Sequence, residues 1–210
     1  MRLNPSSFNR HLNDIGQAFT LRKAYACPCV NEHSGAAKNN CPYCTGKGRL
    51  WVPKPVTGKA GIVGHDVLKD FATFGIWDQG DIMLSIPSDS NIYHIGQYDR
   101  VIPQNRSEPF SMNMTRGEND IMRTPVLSID RAFWIDSSNQ LQESEVPTVG
   151  DTGILSWSVN PPPIGQTYSL TGRRKQEFFV YVELPFDRPM HFGFTLPRRV
   201  VLRRFDLYGR

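Results

Sequence analysis

Apolar residues early in the chain recur as Phe8, Leu12, Ile15 and Phe19, at spacings of four, three and four. That rhythm places them on one face of a helix beginning near Ser6 or Ser7, whose hydroxyls are natural N-caps. Gly16 weakens the helix from within. Such a face packs on a core or, because terminal segments are often held by partners, docks as an arm on a neighbouring subunit through Phe8 and Leu12.

After Leu50-Trp51 the period changes. Val52-Pro53-Lys54-Pro55-Val56 is too rich in proline for a helix and reads as an extended linker. The expected organisation is therefore an N-terminal arm over 1–52 and a β-rich body over 53–210. Short apolar runs separated by turn signals follow. Phe71–Trp77 and Asp81–Pro87 flank Asp78-Gln79-Gly80, a hairpin signature. Asn91–Ile95 and Arg100–Ile102 flank Gly96–Asp99 in the same manner. Met112 and Met114 precede a turn at Arg116–Asp120, Pro125–Ile135 alternates as a strand, and Ile154–Val159 ends at Pro161-Pro162-Pro163. Gln166–Thr171 and Glu177–Leu184 read as a hairpin joined by the basic turn Gly172–Lys175. Leu196–Phe205 closes the series. Many short strands with one helical segment predict a mainly β fold, an antiparallel barrel or sandwich carrying an N-terminal helix and a small cysteine loop.

That loop holds all four cysteines of the 210 residues: Cys27-Pro28-Cys29, then Cys41-Pro42-Tyr43-Cys44-Thr45-Gly46-Lys47-Gly48. Two close pairs suit one tetrahedral Zn²⁺, each pair presenting its sulfurs from a tight turn. The expectation is a structural zinc knuckle on Cys27, Cys29, Cys41 and Cys44. His33 in the intervening loop is an alternative ligand, and two disulfides or four free thiols are the other readings of the pattern. Disulfide frameworks normally serve small secreted domains. The opening Met1–Pro5 has no apolar core of a signal sequence, so the expectation is a soluble protein made in a reducing cytosol.

A net charge of +4 permits contact with nucleic acid without arguing for it. No apolar run approaches the length of a membrane span. Catalytic patterns are absent from the sequence: the histidines are scattered, His65-Asp66 has no glycine-framed serine to serve, and Gly46-Lys47-Gly48 lacks phosphate-loop spacing. Asp78, Asp81, Asp99, Glu118 and Asp120 fall mostly in predicted turns, where such side chains bond to backbone amides. Four sulfur ligands would leave a metal no open position for water, so the chain reads as a non-enzyme.

On a strand through Leu196–Phe205, Arg199 and Arg203 face one side while Arg198 and Arg204 face the other. Charge on both faces predicts an exposed element rather than a central strand. The three uses, in order, are salt bridges to an adjacent subunit, a positive rim beside DNA phosphates, and a solvated edge blunted by charge. Arg173, Arg174 and Lys175 are expected at a solvated hairpin tip, within reach of DNA if the protein lines a channel.

The order Gly75–Asp81, Ile95–Val101, Arg116–Asp120 and Trp157–Leu170, with the closing Leu196–Asp206 and the cysteine knuckle, resembles neck or head-to-tail connector proteins of tailed bacteriophages. The resemblance spans most of the chain and rests on turns and strands. It implies a structural virion protein: a homo-oligomeric collar or head-completion ring between portal and tail, assembled in the host cytoplasm, with portal or adaptor and tail proteins as partners and passive contact with DNA. The knuckle and helix would then be a rigid clip against a neighbour. A zinc-ribbon nucleic-acid-binding protein is the alternative, although only Lys38, Lys47 and Arg49 add charge at the knuckle while Glu32 subtracts.

Overall fold

The computed structural model describes residues 4–51, 54–62, 80–122, 124–150, 153–183 and 189–207. In chain order these form α1 (Pro5–Ile15), β1 (Gln17–Arg22), β2 (Ala24–Ala26), β3 (Arg49–Trp51), β4 (Val56–Ile62), β5 (Ile82–Ile86), β6 (Arg100–Pro103), β7 (Ser107–Thr115) and β8 (Val126–Ile135). There follow β9 (Leu141–Ser144), β10 (Thr148–Val149), β11 (Leu155–Ser156), β12 (Thr167–Lys175), β13 (Phe178–Glu183), β14 (Met190–His191), β15 (Phe194–Thr195), β16 (Arg198–Arg204) and a 3-10 turn over Phe205–Leu207. The mainly β architecture with an N-terminal helix is as the sequence predicts. The division is different: one compact unit comprises Met1–Asn105 with Glu177–Arg210, and the other Arg106–Gln176. The helix and cysteine loop thus belong to the first unit with the barrel strands, and Pro53 lies outside the described residues.

In the first unit the strands close into an antiparallel barrel in the order β1-β4-β5-β16-β13-β6, with β6 pairing back to β1. Period-2 alternation sends Phe19 and Leu21 inward from β1, Leu84 and Ile86 from β5, Val101 from β6, Phe178 and Val180 from β13, and Val200 and Leu202 from β16. Each large side chain so buried contributes about 1.5–3 kcal/mol. Closure removes the exposed sheet edges that an open sheet would have to shield.

The helix is shorter than its apolar rhythm. Pro5 occupies the first turn, and Asn4 rather than either serine caps it, its side chain accepting from the Ser6 N–H at 3.2 Å. The helix ends at Ile15, and Phe19, matching the helical spacing by coincidence, is a barrel core residue on β1. Leu12 is buried over Gly61 of β4, so it packs within its own chain, whereas Phe8 and Ile15 are exposed. Asn9 donates to Ser88 Oγ at 2.7 Å and Asn13 to Asp89 at 3.2 Å, fastening the polar side of the helix to the turn after β5.

Four other expectations change. Asn91–Ile95 is a chain of turns, with Tyr93 N–H bonded to Ser90 O and Ile95 N–H to Ile92 O, which sends Ile92 and Ile95 into the core three residues apart. The basic segment Gly172–Lys175 continues β12 against β7 and β8 instead of turning. Gly172 sits at a register shift where a Cβ would lie 2.2 Å from Ser128 O, so the bulge requires glycine. The break falls at Gln176-Glu177, and β12 and β13 belong to different units. Ile154–Val159 contributes only the two residues of β11. Finally, β16 is an interior strand between β5 and β13, with Val200, Val201 and Leu202 fully buried, because a closed barrel has no edge for it to occupy. The hairpin expected over Phe71–Pro87 lies largely outside the described residues; its second strand is β5.

The second unit is a four-stranded sheet, β7-β12-β8-β9, with the small ribbon β10-β11. Its own core gathers Phe110, Met114, Ala132, Trp134, Tyr168 and Leu170 with Met122 and Leu155. Tyr168 is fully buried, its ring meeting Trp157 edge-on at 5.2 Å, and its hydroxyl donates to Asp120.

Candidate metal centre

The cysteine loop runs between β2 and β3, which pair as a two-stranded ribbon with Ala24 opposite Trp51 and Ala26 opposite Arg49. Pro28 occupies the second position of a turn closed by the Val30 N–H on Cys27 O at 3.0 Å, which lets Cys27 and Cys29 face one point. A second turn brings Cys41 and Cys44 to the same point: Thr45 N–H bonds to Cys41 O at 2.9 Å and Lys47 N–H to Cys44 O at 3.0 Å. Gly46 reverses the chain here at φ +81°, a conformation that L side chains rarely adopt. The Cys27 N–H donates to Gly48 O at 2.9 Å and closes the base of the loop.

The four sulfurs all lie within 4.8 Å of one another. Cys27 and Cys41 are separated by 3.8 Å and Cys29 and Cys44 by 3.5 Å, against about 2 Å for a disulfide. A tetrahedral metal bound at about 2.3 Å to four sulfurs spaces them about 3.8 Å apart, so the cluster can bind a metal ion. Cys27, Cys41 and Cys44 are buried and Cys29 is half-buried. The exposed His33 is outside this cluster, and its backbone N–H donates to Asn31 Oδ1. Among the described residues no other group of three or more ligating side chains converges in this way.

Protonation of the cluster is uneven. The backbone N–H groups of Cys44 and Tyr43 hold the Cys41 thiol down to about 6. At Cys29 the Lys38 N–H favours the thiolate, but desolvation and the neighbouring sulfurs outweigh it and push the thiol up to about 12. At Cys27 the Cys29 N–H acts in the same sense and is likewise outweighed, raising the thiol. Four adjacent sulfurs cannot all ionise without a cation between them; a bound divalent metal supplies that charge and displaces the protons.

Asp99, expected from its sequence to be a turn carboxylate bonded to backbone amides, and several residues that no pattern singled out fix the ribbon to the barrel. Buried Asp99 accepts from the Ala24 and Gly96 N–H groups, each at 2.8 Å, and pairs with Lys23 at 2.9 Å. Trp51 donates its indole N–H to Tyr98 O at 3.1 Å and meets the Phe205 ring edge-on, with centroids 5.1 Å apart. Arg100, ion-paired to Glu177, lies over the same Phe205 ring at 4.0 Å, and Lys47 of the cysteine loop lies over it at 4.6 Å. Arg49 covers Tyr98 at 4.4 Å. The knuckle is therefore docked on its own barrel. The only signal in the sequence was compositional: aromatic and basic residues flank the loop on both sides.

The C-terminal arginines expected at an interface are engaged within the chain. Arg203 forms a two-pronged ion pair with fully buried Asp81, at 2.9 and 3.2 Å, and stacks on Tyr181 at 3.6 Å. Arg198 reaches Glu183 at 2.6 Å and Tyr93 O at 3.1 Å, and Arg204 reaches Asp206 at 3.4 Å. Arg199 lies on the same strand. On β12, Arg174 pairs with Glu108 at 2.8 Å and Arg173 bonds to Ser107. The pair His65-Asp66 lies outside the described residues. Among the described residues no helix is long and apolar enough to cross a membrane. No protein-family model matches the chain, and no curated protein matches it in sequence.

Proposed function

We propose that the chain is a structural virion protein of a tailed phage, not an enzyme, which assembles as a homomeric ring in the neck between capsid portal and tail and surrounds the DNA passage. The observation that carries this reading is the distribution of exposed apolar side chains over the barrel unit: Phe8 and Ile15 on the helix, Tyr43 on the knuckle, and Met190, Phe192 and Phe194 on the β14-β15 hairpin. Single exposed residues are normal, whereas several large ones on one short element mark a surface that a partner can cover, and the hairpin carries three. In this reading the metal is Zn²⁺, which favours a closed tetrahedron of four sulfurs, and its role is structural. It holds the knuckle in one shape against the barrel, so that Tyr43 and the helix face meet portal, adaptor or tail proteins as a preformed clip.

The nucleic-acid-binding alternative loses ground to the contacts of Lys47 and Arg49, which lie over Phe205 and Tyr98. DNA contact in the ring reading is passive and comes from the passage wall. Sedimentation velocity of the zinc-loaded protein, alone and with its portal and tail neighbours, separates the two readings. A closed oligomer whose size does not depend on DNA is expected. A monomer in every mixture, with DNA binding that weakens steeply as salt rises, would replace the ring by the alternative.

A further inference from the structure

All the cysteines of the chain lie in the knuckle, so a bridge formed there has no further thiol to exchange with. The sulfurs meet in pairs that cross from one turn to the other: Cys27 faces Cys41 at 3.8 Å and Cys29 faces Cys44 at 3.5 Å. The partners in these pairs are 14 and 15 residues apart, whereas the cysteines within one turn are separated by Pro28 alone or by Pro42 and Tyr43. A bridge that closes a longer loop constrains the unfolded chain more than one inside a turn. Two crossing bridges would also tie together the same two turns that a metal ion ties, while a bridge within each turn would leave them unconnected. The loop backbone already holds the turns in register, with the Cys27 N–H on Gly48 O and the Asn31 N–H on Ala36 O, each at 2.9 Å.

Access to the sulfurs is uneven. Cys27, Cys41 and Cys44 are buried, and Cys29 is half-buried. Cys29 borders a cavity of about 520 Å³ whose wall also includes Pro28, Lys38, Asn40, Pro42 and Tyr43. That space is ample for a small oxidant, since a water takes up roughly 30 Å³ in the liquid.

We propose that the knuckle is an oxidation site held in two exchangeable ways, by a metal ion on four thiolates or by the crossing disulfides Cys29–Cys44 and Cys27–Cys41, and that a peroxide entering at Cys29 converts the first into the second. This rests on the zinc reading of the site and extends it to the oxidising surroundings of a released particle. The Cys29 thiolate attacks one oxygen of hydrogen peroxide; the O–O bond breaks, hydroxide leaves, and Cys29 becomes a sulfenic acid. The Cys44 sulfur, 3.5 Å away, then attacks the Cys29 sulfur. The S–O bond breaks, a second hydroxide leaves and the S–S bond forms, so that two electrons have passed from the sulfur pair to the peroxide. The two sulfurs that remain are too few to retain Zn²⁺. A second peroxide closes Cys27–Cys41 in the same way. In sum, four thiolates, two peroxides and four protons give two disulfides and four waters, and the metal dication is set free.

The test treats the full zinc-loaded chain with hydrogen peroxide, reads released zinc with a chromogenic chelator, and maps the bonds by mass spectrometry of a non-reduced tryptic digest after free thiols are capped. Trypsin cuts after Lys23, Lys38 and Lys47, so Cys27 and Cys29 fall in the peptide 24–38 and Cys41 and Cys44 in the peptide 39–47. Loss of all bound zinc is expected, with the two peptides joined and fragmentation assigning the bonds to Cys29–Cys44 and Cys27–Cys41. At limiting peroxide the first bridge should be Cys29–Cys44; Cys27–Cys41 appearing first would overturn entry at Cys29. Reduction in the presence of zinc should restore the metal and separate the peptides. Bridges confined within each peptide, bonds of Cys27 to Cys44 and Cys29 to Cys41, sulfonic acids in place of bridges, or zinc retained throughout would each overturn the exchange and leave the zinc reading standing. A reduced chain that takes up no zinc would overturn the zinc reading itself.

Discussion

The indole of Trp51 meets the ring of Phe205 edge-on, 5.1 Å between centroids, and so joins the strand leaving the cysteine loop to the residue that follows the last barrel strand. The contact makes the metal loop and the barrel one mechanical element. Arg100 and Lys47 both lie over Phe205, so one ring serves three partners. Replacing Phe205 by Ala is expected to destabilise the barrel unit by about 3 kcal/mol, the usual cost of deleting a buried aromatic. It should also speed the loss of metal to a chelator. Urea unfolding and chelator kinetics of the same variant check the two effects; unchanged metal release would mean that the loop holds its shape without the barrel.

Metal binding should depend on pH with a definite sign. Cys27 and Cys29 have raised thiol pKa values and keep their protons at neutral pH, whereas Cys41, at about 6, is already a thiolate. Binding therefore releases protons from the first two and little from the third, and affinity falls as the solution is acidified. Calorimetry of zinc binding in buffers of different ionisation enthalpy measures this release at pH 7. Cys29→Ser is expected to weaken binding steeply, while His33→Ala leaves it unchanged, because His33 lies outside the sulfur cluster.

Asp81 is fully buried beneath the Arg203 guanidinium. Asp81→Asn leaves that cation without its counter-charge and is expected to cost about 3–5 kcal/mol. The double change Asp81→Leu with Arg203→Met removes both charges and should restore most of the loss. Denaturant midpoints of the two proteins check the pair; equal destabilisation by both would show that geometry, not charge, is what Asp81 supplies.

In the second unit, burial and the hydrogen bond to Asp120 raise the pKa of Tyr168 above its ordinary value. A raised folded pKa means that this contribution to stability is complete below the unfolded value near 10 and is lost as pH rises through the folded one. The sheet unit is therefore expected to lose stability in strong alkali. Tyr168→Phe should flatten that loss at a cost of about 1 kcal/mol at neutral pH. Fluorescence-detected unfolding between pH 8 and 11 measures both.

The strands legible in sequence were those with one wet face. Pro125–Ile135 alternates because β8 packs Ala132 and Trp134 on a core and leaves Leu127 and Ile135 exposed. Local signs misled where tertiary pairing overrode them. The arginines of β16 suggested an edge, but Asp81 and Glu183 supply counter-charges that no local pattern reveals. Phe19 continued a helical rhythm across Gly16 into a strand, and Gly172 marked a bulge rather than a turn. The convergence of the four cysteines was legible, because they sit within 18 residues and need only two turns to meet. The clasp of Trp51, Phe205 and Arg100 was not, since it joins three distant segments.

The proposed role requires the chain to assemble. Electron microscopy of the purified, zinc-loaded chain, alone and with its portal and tail neighbours, measures it most directly. Annular particles of one rotational symmetry, with a central opening wide enough for duplex DNA, are expected; particles that remain monomeric in every mixture would show that the chain builds no ring.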